Sequence, residues 1–280
     1  MVETGSQTHT VFARDAAHVG SLLHEAHAAG HSVLPCGQRS RQARVLPQAT
    51  VDCWLSLAEC QKMLWLDVAD QTCEVQAGMS PAALISHLEG TGLELAVMCR
   101  NPNSGTLGGL FMAAEASLLS PSCGPTRDFV LGASWILADG CSVRSGARVV
   151  KSVAGYDVTR LLLGSRGQLA INTSLILRLR PAPRELLWFQ VETQEWLQIQ
   201  TQLAPARLVF PAATAAHSIV VFANFAPQHA ALTPLDAGEG EQQRLLYLEH
   251  MTTLVPPASH WLEVTAEACA PGAPHFGRRP

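Results

Sequence analysis

The segment from Arg148 to Pro183 constrains the fold of this chain more than any other stretch. Gly155 precedes a short apolar run with leucines at helical spacing, and Gly164 follows that run, where a helix end favours a left-handed residue. Beyond Gly167, apolar and polar residues alternate with a period of two, which predicts a strand. Asp157 is expected in the first turn of the helix. Two glycine turns around one helix bring backbone N–H groups close to a ligand, most often a nucleotide.

The preceding residues alternate between patterns typical of helices and of strands. Asp15 can cap a helix that ends at Gly30, and Ser80 with Pro81 can begin a second helix. Three short apolar runs between residues 51 and 77 are separated by turn residues and predict strands. The mixture predicts an α+β fold.

Two further stretches are candidates for binding an anion. A short predicted strand ends at Gly37 and leads into a loop with Arg39, Arg41 and Arg44, whose guanidinium groups could hold a phosphate. A solvated basic loop is the alternative, and the sequence does not separate the two. Gly108–Gly109 open a helical stretch, whose first N–H groups are without helical partners and favour an anion.

Composition excludes several classes of function. Only 15% of the residues are charged and the net charge is −4, so no nucleic-acid partner is expected. The first fifteen residues lack the apolar region of a secretory signal, and no run reaches the ~20 apolar residues of a membrane helix. We therefore expect a soluble, cytoplasmic protein without a transmembrane segment. The eight cysteines form no C-x-x-C pair and are interpreted as buried thiols.

One histidine stripe has the spacing of a possible zinc site. His24, His27 and His31 are three and four residues apart, so they could share one face of the first helix. Gly30 is expected to end that helix before His31, and no cysteine or carboxylate joins at a suitable spacing. A solvated polar face is the favoured interpretation, and no metal is predicted.

Several motifs, taken in order, resemble one family of flavoproteins. They are GTLGG (105–109), TRDFVLG (126–132), LADG (137–140), RSG (144–146), KSVAGYDVTRLLLGSRGQL (151–169) and LRLRP (177–181). This order and spacing resemble the FAD-binding domain of the vanillyl-alcohol oxidase-type, or PCMH-type, flavoproteins. Within that group the chain is most similar to the GlcE-like subunits of glycolate oxidase, followed by proteins like D-lactate dehydrogenase.

The resemblance implies a particular α+β architecture. Residues 1–183 would form a FAD-binding PCMH-type domain of two subdomains, with FAD extended between them. Residues 184–280 would form a shortened α+β remnant of the cap that carries the substrate site in the family, ending in a frayed tail. About 100 residues follow Pro181, fewer than that cap normally needs.

The resemblance also assigns cofactor-binding residues. The backbone of the first loop would hold the pyrophosphate of a non-covalently bound FAD, and two other turns would line the rest of the cofactor. The assigned residues are Cys36, Gly37, Gln38, Arg39, Ser40 and Arg41 in the first loop, Ser104, Gly105, Thr106, Gly108 and Gly109 in the second, and Ala154, Gly155, Tyr156, Gly164, Gly167 and Ile171 in the Arg148–Pro183 segment. Tyr156 could contact the cofactor or belong to the core. No catalytic base is assigned.

The chain departs from the family pattern inside these loops. Gln38 and Arg39 replace two glycines of the first loop, and Asn172 replaces an apolar residue near the expected isoalloxazine. A residue other than glycine adopts a left-handed conformation at a cost of about 1–2 kcal/mol. The two side chains could also fill the space of the pyrophosphate.

The function implied is that of a FAD-binding subunit in a 2-hydroxy-acid dehydrogenase or oxidase complex of the glycolate or D-lactate type, with hydride transfer to the flavin. The alternative is a catalytically inactive structural subunit that has lost tight FAD binding. Partners implied are a small 2-hydroxy acid, a second flavin subunit and an iron–sulfur subunit at the inner face of the cell membrane. The chain has no cysteine cluster for an iron–sulfur centre of its own, so its electrons would leave through a partner.

Overall fold

The computed structural model describes residues 9–40, 51–98, 103–114, 117, 119–148, 157–201, 206–212, 216–225 and 227–254. The first unit of the fold is a small parallel sheet with one helix. Its elements are β1 (His9–Phe12), α1 (Ala16–Ala29), β2 (Val33–Cys36) and β3 (Cys53–Ser56), with strand order β1-β3-β2. As predicted, Asp15 caps α1 by accepting a hydrogen bond from His18 N–H, and Gly30 ends the helix at a φ of 68°.

The second unit is a five-stranded antiparallel sheet with short helices around it. Its strands are β4 (Met63–Asp67), β5 (Thr72–Gln76), β7 (Val130–Ile136), β8 (Ser142–Gly146) and β9 (Ile171–Arg178), in the order β4-β5-β9-β7-β8. Around it lie α2 (Pro81–Leu88), α3 (Leu107–Met112), α4 (Ser120–Cys123), a 3₁₀ turn (Thr126–Phe129) and α5 (Val158–Leu162). A separate two-stranded ladder pairs β6 (Leu93–Glu94) with β10 (Arg180–Pro181).

The third unit follows Pro183 and is a four-stranded antiparallel sheet with two helices. It consists of β11 (Leu186–Glu192), α6 (Thr193–Ile199), β12 (Leu208–Pro211), β13 (His217–Ala223), β14 (Thr233–Leu235) and α7 (Ala237–Leu254), with strand order β12-β13-β11-β14. The strands at 186–192 and 217–223 are rich in branched and aromatic residues, which favour strands.

The second and third units share one hydrophobic core. The largest cluster of buried apolar side chains joins Val75, Leu175 and Leu177 of the five-stranded sheet with Trp188 and Val221 of the four-stranded sheet. Arg207 and Glu94 form an ion pair across the same junction, with Nη2 2.7 Å from Oε1. The chain boundary expected near Pro183 therefore crosses a continuous core, and the division into two domains stays a prediction.

The described part of the 148–183 segment, which is Arg148 and residues 157–183, folds largely as its pattern predicts, with three differences. Asp157 was expected in the first turn of α5. It lies just before that turn, as the N-cap, and its side chain accepts a hydrogen bond from Arg160 N–H. In β9, which lies in the middle of its sheet, the polar Asn172 and Ser174 are as buried as the leucines, so the alternation does not mark a solvent-facing side. Leu161, expected on the apolar face of α5, is 70% exposed. Among the described residues, no helix combines the length and apolar character that spanning a membrane requires.

Candidate functional site

Three loops from different parts of the chain meet around one open pocket of about 150 Å³. The loops follow β2, precede α3 and connect α5 to β9. The pocket is lined by Leu34, Pro35, Cys36, Gly37, Gln38, Arg39, Ser40, Trp54, Leu57, Ala77, Gly105, Thr106, Gly108, Gly109, Met112, Ala113, Arg166, Gly167, Ile171 and Asn172. The fold therefore brings together most of the residues assigned to the cofactor from the sequence.

Two glycines allow the three loops to approach one another. A Cβ atom on Gly37 would lie 2.4 Å from Oγ1 of Thr106, which caps α3. A Cβ atom on Gly167, whose φ is 81°, would lie 2.2 Å from Cγ of Pro35 in β2. No real Cβ tolerates such distances, so each glycine lets one loop contact the next.

The first loop presents unpaired backbone donors. Within the described residues, the N–H groups of Gly37, Gln38, Arg39 and Ser40 donate to no protein acceptor. Consecutive N–H groups in a loop after a strand form a concave site for an anion. The loop thus fits the diphosphate of a dinucleotide such as FAD, although two of its family glycines are replaced.

The replacements are accommodated by the backbone and by contacts of their own side chains. Arg39 has a φ of 55°, so it keeps the left-handed conformation that a glycine would adopt there. Its guanidinium stacks on Trp54, 4.7 Å from the ring centroid, and donates to Oγ1 of Thr10. Gln38 Oε1 accepts a hydrogen bond of 2.9 Å from Gly105 N–H in the second loop. Both side chains are therefore engaged with protein groups, and the partners of Arg39 are uncharged.

The start of α3 differs from the expectation of free N–H groups. Leu107 N–H donates to Met79 O at 2.8 Å, Gly108 N–H donates to Ala77 O at 2.8 Å, and Gly109 N–H donates to Thr106 Oγ1 at 3.1 Å. Packing requires glycine at position 108, because a Cβ atom there would lie 2.9 Å from the carbonyl oxygen of Ala77. The helix start lines the pocket, but its donors are used by the protein itself.

Not every assigned residue lines the pocket. Ser104 and Gly164 belong to the converging loops but lie outside the lining, and Gly164 packs near Ala114 instead. Arg41, Ala154, Gly155 and Tyr156 lie outside the described residues, so their assignment stays a prediction.

Nine lining residues were not assigned individually from the sequence, and two of them, Arg166 and Asn172, are polar. Arg166 lies between Gly164 and Gly167 and has a φ of 55°, and its position between two assigned glycines was the available signal. Asn172 was noted only as a departure from the family pattern. Its Nδ2 donates to Ser134 O at 3.2 Å and Ser174 O at 2.9 Å, while its buried Oδ1 has no partner.

A buried carboxylate lies in the five-stranded sheet, outside the pocket lining. Glu74 is 5% exposed and accepts from Trp65 Nε1, Arg144 Nη2 and Ser174 Oγ, each at 2.8 Å. Its donors are all provided by the fold, which gives it a structural role. His24 and His27 lie exposed on α1 and His31 follows Gly30, and no group of three or more metal-ligating side chains occurs in the described ranges.

Comparison with known proteins identifies the type of domain that this chain contains. Residues 8–146 match the model of a family described as "FAD binding domain". The chain is 36% identical over 122 residues to the glycolate oxidase subunit GlcD of Bacillus subtilis, covering 44% of this chain and 26% of that protein. It is 35% identical over 124 residues to the GlcE subunit of Escherichia coli, covering 43% of this chain and 35% of that protein.

A mitochondrial D-lactate dehydrogenase of Arabidopsis thaliana is 31% identical over 177 residues, covering 62% of this chain and 30% of that protein. The chain thus spans about a quarter to a third of the length of these curated relatives. Among solved structures, alkyldihydroxyacetonephosphate synthase superposes with a TM-score of 0.64 at 17% identity, covering 87% of this chain and 53% of that one.

These matches confirm the α+β fold and the resemblance read from the motifs, including the similarity to GlcE and to D-lactate dehydrogenases. FAD, the predicted cofactor, is the ligand named for the matched family. Residues 8–146 are thus identified as a FAD-binding domain of the PCMH type, homologous to the GlcD and GlcE subunits of glycolate oxidase.

Proposed function

We propose that this protein is a FAD-binding subunit of a 2-hydroxy-acid dehydrogenase or oxidase of the glycolate or D-lactate type. The observation that carries the proposal is the convergence of three loops on one pocket. In one of them, the backbone N–H groups of residues 37–40 find no acceptor among the described residues. The matches to glycolate oxidase subunits and to a D-lactate dehydrogenase support the substrate class.

The described residues bind and orient the cofactor in this proposal. The N–H groups of Gly37–Ser40 hold the diphosphate, and Ile171 with Met112 provides apolar contact deeper in the pocket. When bound, FAD accepts a hydride equivalent from the carbon that carries the substrate hydroxyl. The described lining contains no His, Asp or Glu, so its own part is binding rather than proton transfer.

The test is the visible absorbance of the purified full chain. We expect flavin absorbance as isolated or after addition of FAD, and its anaerobic bleaching by glycolate or D-lactate. A protein that retains no flavin after reconstitution would contradict the proposal at the first step. Flavin binding without bleaching by any 2-hydroxy acid would leave FAD binding intact and contradict the substrate class.

A structural subunit without tight FAD binding is the second candidate. Gln38 Oε1 favours this candidate, because it accepts the hydrogen bond of Gly105 N–H that a ligand would otherwise accept. The start of α3 favours it too, because the N–H groups of residues 107–109 donate to protein oxygens. The discriminating variant carries Gln38→Gly and Arg39→Gly together. If the wild type binds no FAD and the double variant does, the altered loop is the cause and the structural role is supported. If the wild type binds FAD, the second candidate fails.

Partners, location and domain organisation form the remaining part of the proposal. We place the subunit in the cytoplasm, in a complex with a second flavin subunit and an iron–sulfur subunit that accepts its electrons at the inner face of the membrane. Residues 1–183 form the FAD-binding domain and 184–280 a reduced cap. Co-purification of the tagged chain tests the complex, and we expect an iron–sulfur protein among the stoichiometric partners.

A further inference from the structure

Two arginines share an unusual backbone conformation in the walls of one pocket. Arg39 and Arg166 both have a φ of 55°, in the left-handed region that residues other than glycine adopt at a cost. Both residues line the pocket. Such strained residues cluster at binding sites, where the surrounding structure fixes them.

The two side chains differ in their contacts. Arg39 is held by Trp54 and Thr10, so its guanidinium serves the protein itself. Arg166 is fixed only through its backbone, since its N–H donates to Met112 O at 3.0 Å. Across the described residues, its guanidinium has no ion pair, hydrogen bond or ring contact.

The loop that carries Arg166 is fixed next to the anion site. Gly167 contacts Pro35, so the neighbouring Arg166 is held near the loop with the unpaired N–H groups of residues 37–40. Among the described residues that line the pocket, no Asp or Glu is present to pair with the guanidinium. A partly buried guanidinium beside unpaired N–H groups is suited to a divalent or bidentate oxyanion.

We infer that Arg166 binds an oxyanion of the ligand in this pocket. The inference rests on the proposed function, because the site is the same. The oxyanion is either the diphosphate of FAD or the carboxylate of the hydroxy acid, and both offer the paired oxygens that a guanidinium recognises. Arg166 is a specificity-determining residue of this chain, and Arg39 is a positioning residue that holds the loop.

The test compares the wild type with Arg166→Gly and Arg166→Lys, and with Arg127→Gln as a control. Gly accepts the φ of 55°, so Arg166→Gly should fold with an unchanged or slightly higher melting temperature. Arg127 lies outside the pocket, is 64% exposed and only approaches Asp128 at 4.0 Å, so its substitution controls for net charge. The probes are FAD and inorganic pyrophosphate on the FAD-free protein, and oxalate on the FAD-loaded protein.

If the oxyanion is the diphosphate, Arg166→Gly should weaken both FAD and pyrophosphate by about 10- to 100-fold, the usual contribution of a charge-assisted hydrogen bond. Arg166→Lys should lose part of this affinity, because lysine keeps the charge without the planar fork. If the oxyanion is the carboxylate, FAD affinity should stay unchanged and the oxalate-induced change of the flavin spectrum should be lost.

Equal affinities of wild type and Arg166→Gly for all three probes would overturn the inference while leaving FAD binding, and hence the proposed function, intact. A wild type that binds pyrophosphate but not FAD, with loss in Arg166→Gly, would contradict the proposed function and support the role of Arg166. A wild type that binds none of the probes overturns both.

Discussion

Two of the three loops around the pocket look alike in the sequence and differ in the structure. The loop after β2 and the start of α3 each place glycine beside a helix or strand end, the usual sequence mark of an anion site. In the loop, the N–H groups of Gly37–Ser40 have no acceptor within the described residues. At α3, the N–H groups of residues 105 and 107–109 all donate to protein oxygens.

The comparison shows that a glycine can be required by packing rather than by a ligand. Gly108 lies against Ala77, and Gly167 lies against Pro35. These glycines build the pocket by letting its walls meet, whereas the donors for a ligand come from a loop that has lost two of its family glycines. We therefore expect the start of α3 to form a structural wall of the pocket and the loop after β2 to form its binding wall.

The largest effect is expected from a substitution that forces the loop between α5 and β9 away from β2. Gly167→Ala should cost about 2–5 kcal/mol of unfolding free energy, from its positive φ and from overlap with Pro35. Gly90→Ala is the matched control, because Gly90 has a φ of 76° but nothing within 4 Å of a Cβ, leaving the backbone cost alone. Urea unfolding of both variants measures the difference. Equal losses of unfolding free energy in the two variants would contradict a close contact between Gly167 and Pro35.

A second effect concerns the thiol of Cys36, which lies at the end of β2. Cys36 lines the pocket and is partly exposed, and Cys141 is exposed elsewhere. FAD at about 100 times its Kd should slow alkylation of Cys36 by about 100-fold and leave Cys141 unchanged, as peptide mass spectrometry can follow. Burial raises the pKa of the Cys73 thiol to about 12, so Cys73 should stay unlabelled with or without FAD. Equal labelling of Cys36 in both conditions would place FAD elsewhere.

A smaller effect is expected from a substitution of Thr106, the N-cap of α3. Thr106 is 3% exposed, and its Oγ1 accepts from Gly109 N–H. Thr106→Val keeps the shape but removes this acceptor, so it should cost about 0.5–2 kcal/mol of stability. Thr106→Ser keeps the acceptor and should retain the cap. We expect thermal unfolding to detect the Val variant while the folded protein keeps near wild-type FAD affinity, and a large loss of affinity would make α3 part of the binding wall.

Much of the fold could be predicted from local patterns. Asp15 and Gly30 bound α1, and Ser80 with Pro81 begins α2, because capping chemistry is local. Turn residues likewise separated the strands near 53–76. The central β9 was harder to predict, because burial on both sides depends on its neighbours in the sheet. Asn172 Nδ2 donates to Ser134 O of β7, and Ser174 Oγ donates to Glu74 of β5.

The sequence predicted which loops meet, but not how their hydrogen-bond donors are used. Family motifs located the loops, and the structure confirms that they converge. The sequence could not reveal that carbonyls of Ala77 and Met79 would occupy the donors of α3, since these contacts join residues about thirty positions apart. Nor could it show that Trp54 and Thr10 hold Arg39 while the guanidinium of Arg166 has no partner among the described residues.

The most direct test of the binding wall is an equilibrium titration of the FAD-free protein with FAD and, separately, with riboflavin. Riboflavin has the isoalloxazine but lacks the diphosphate that the N–H groups of Gly37–Ser40 are proposed to hold. We expect one FAD per chain, bound at least about tenfold more tightly than riboflavin. Equal affinity for both ligands, or no binding of FAD, would contradict the assignment of this loop as the cofactor-binding wall.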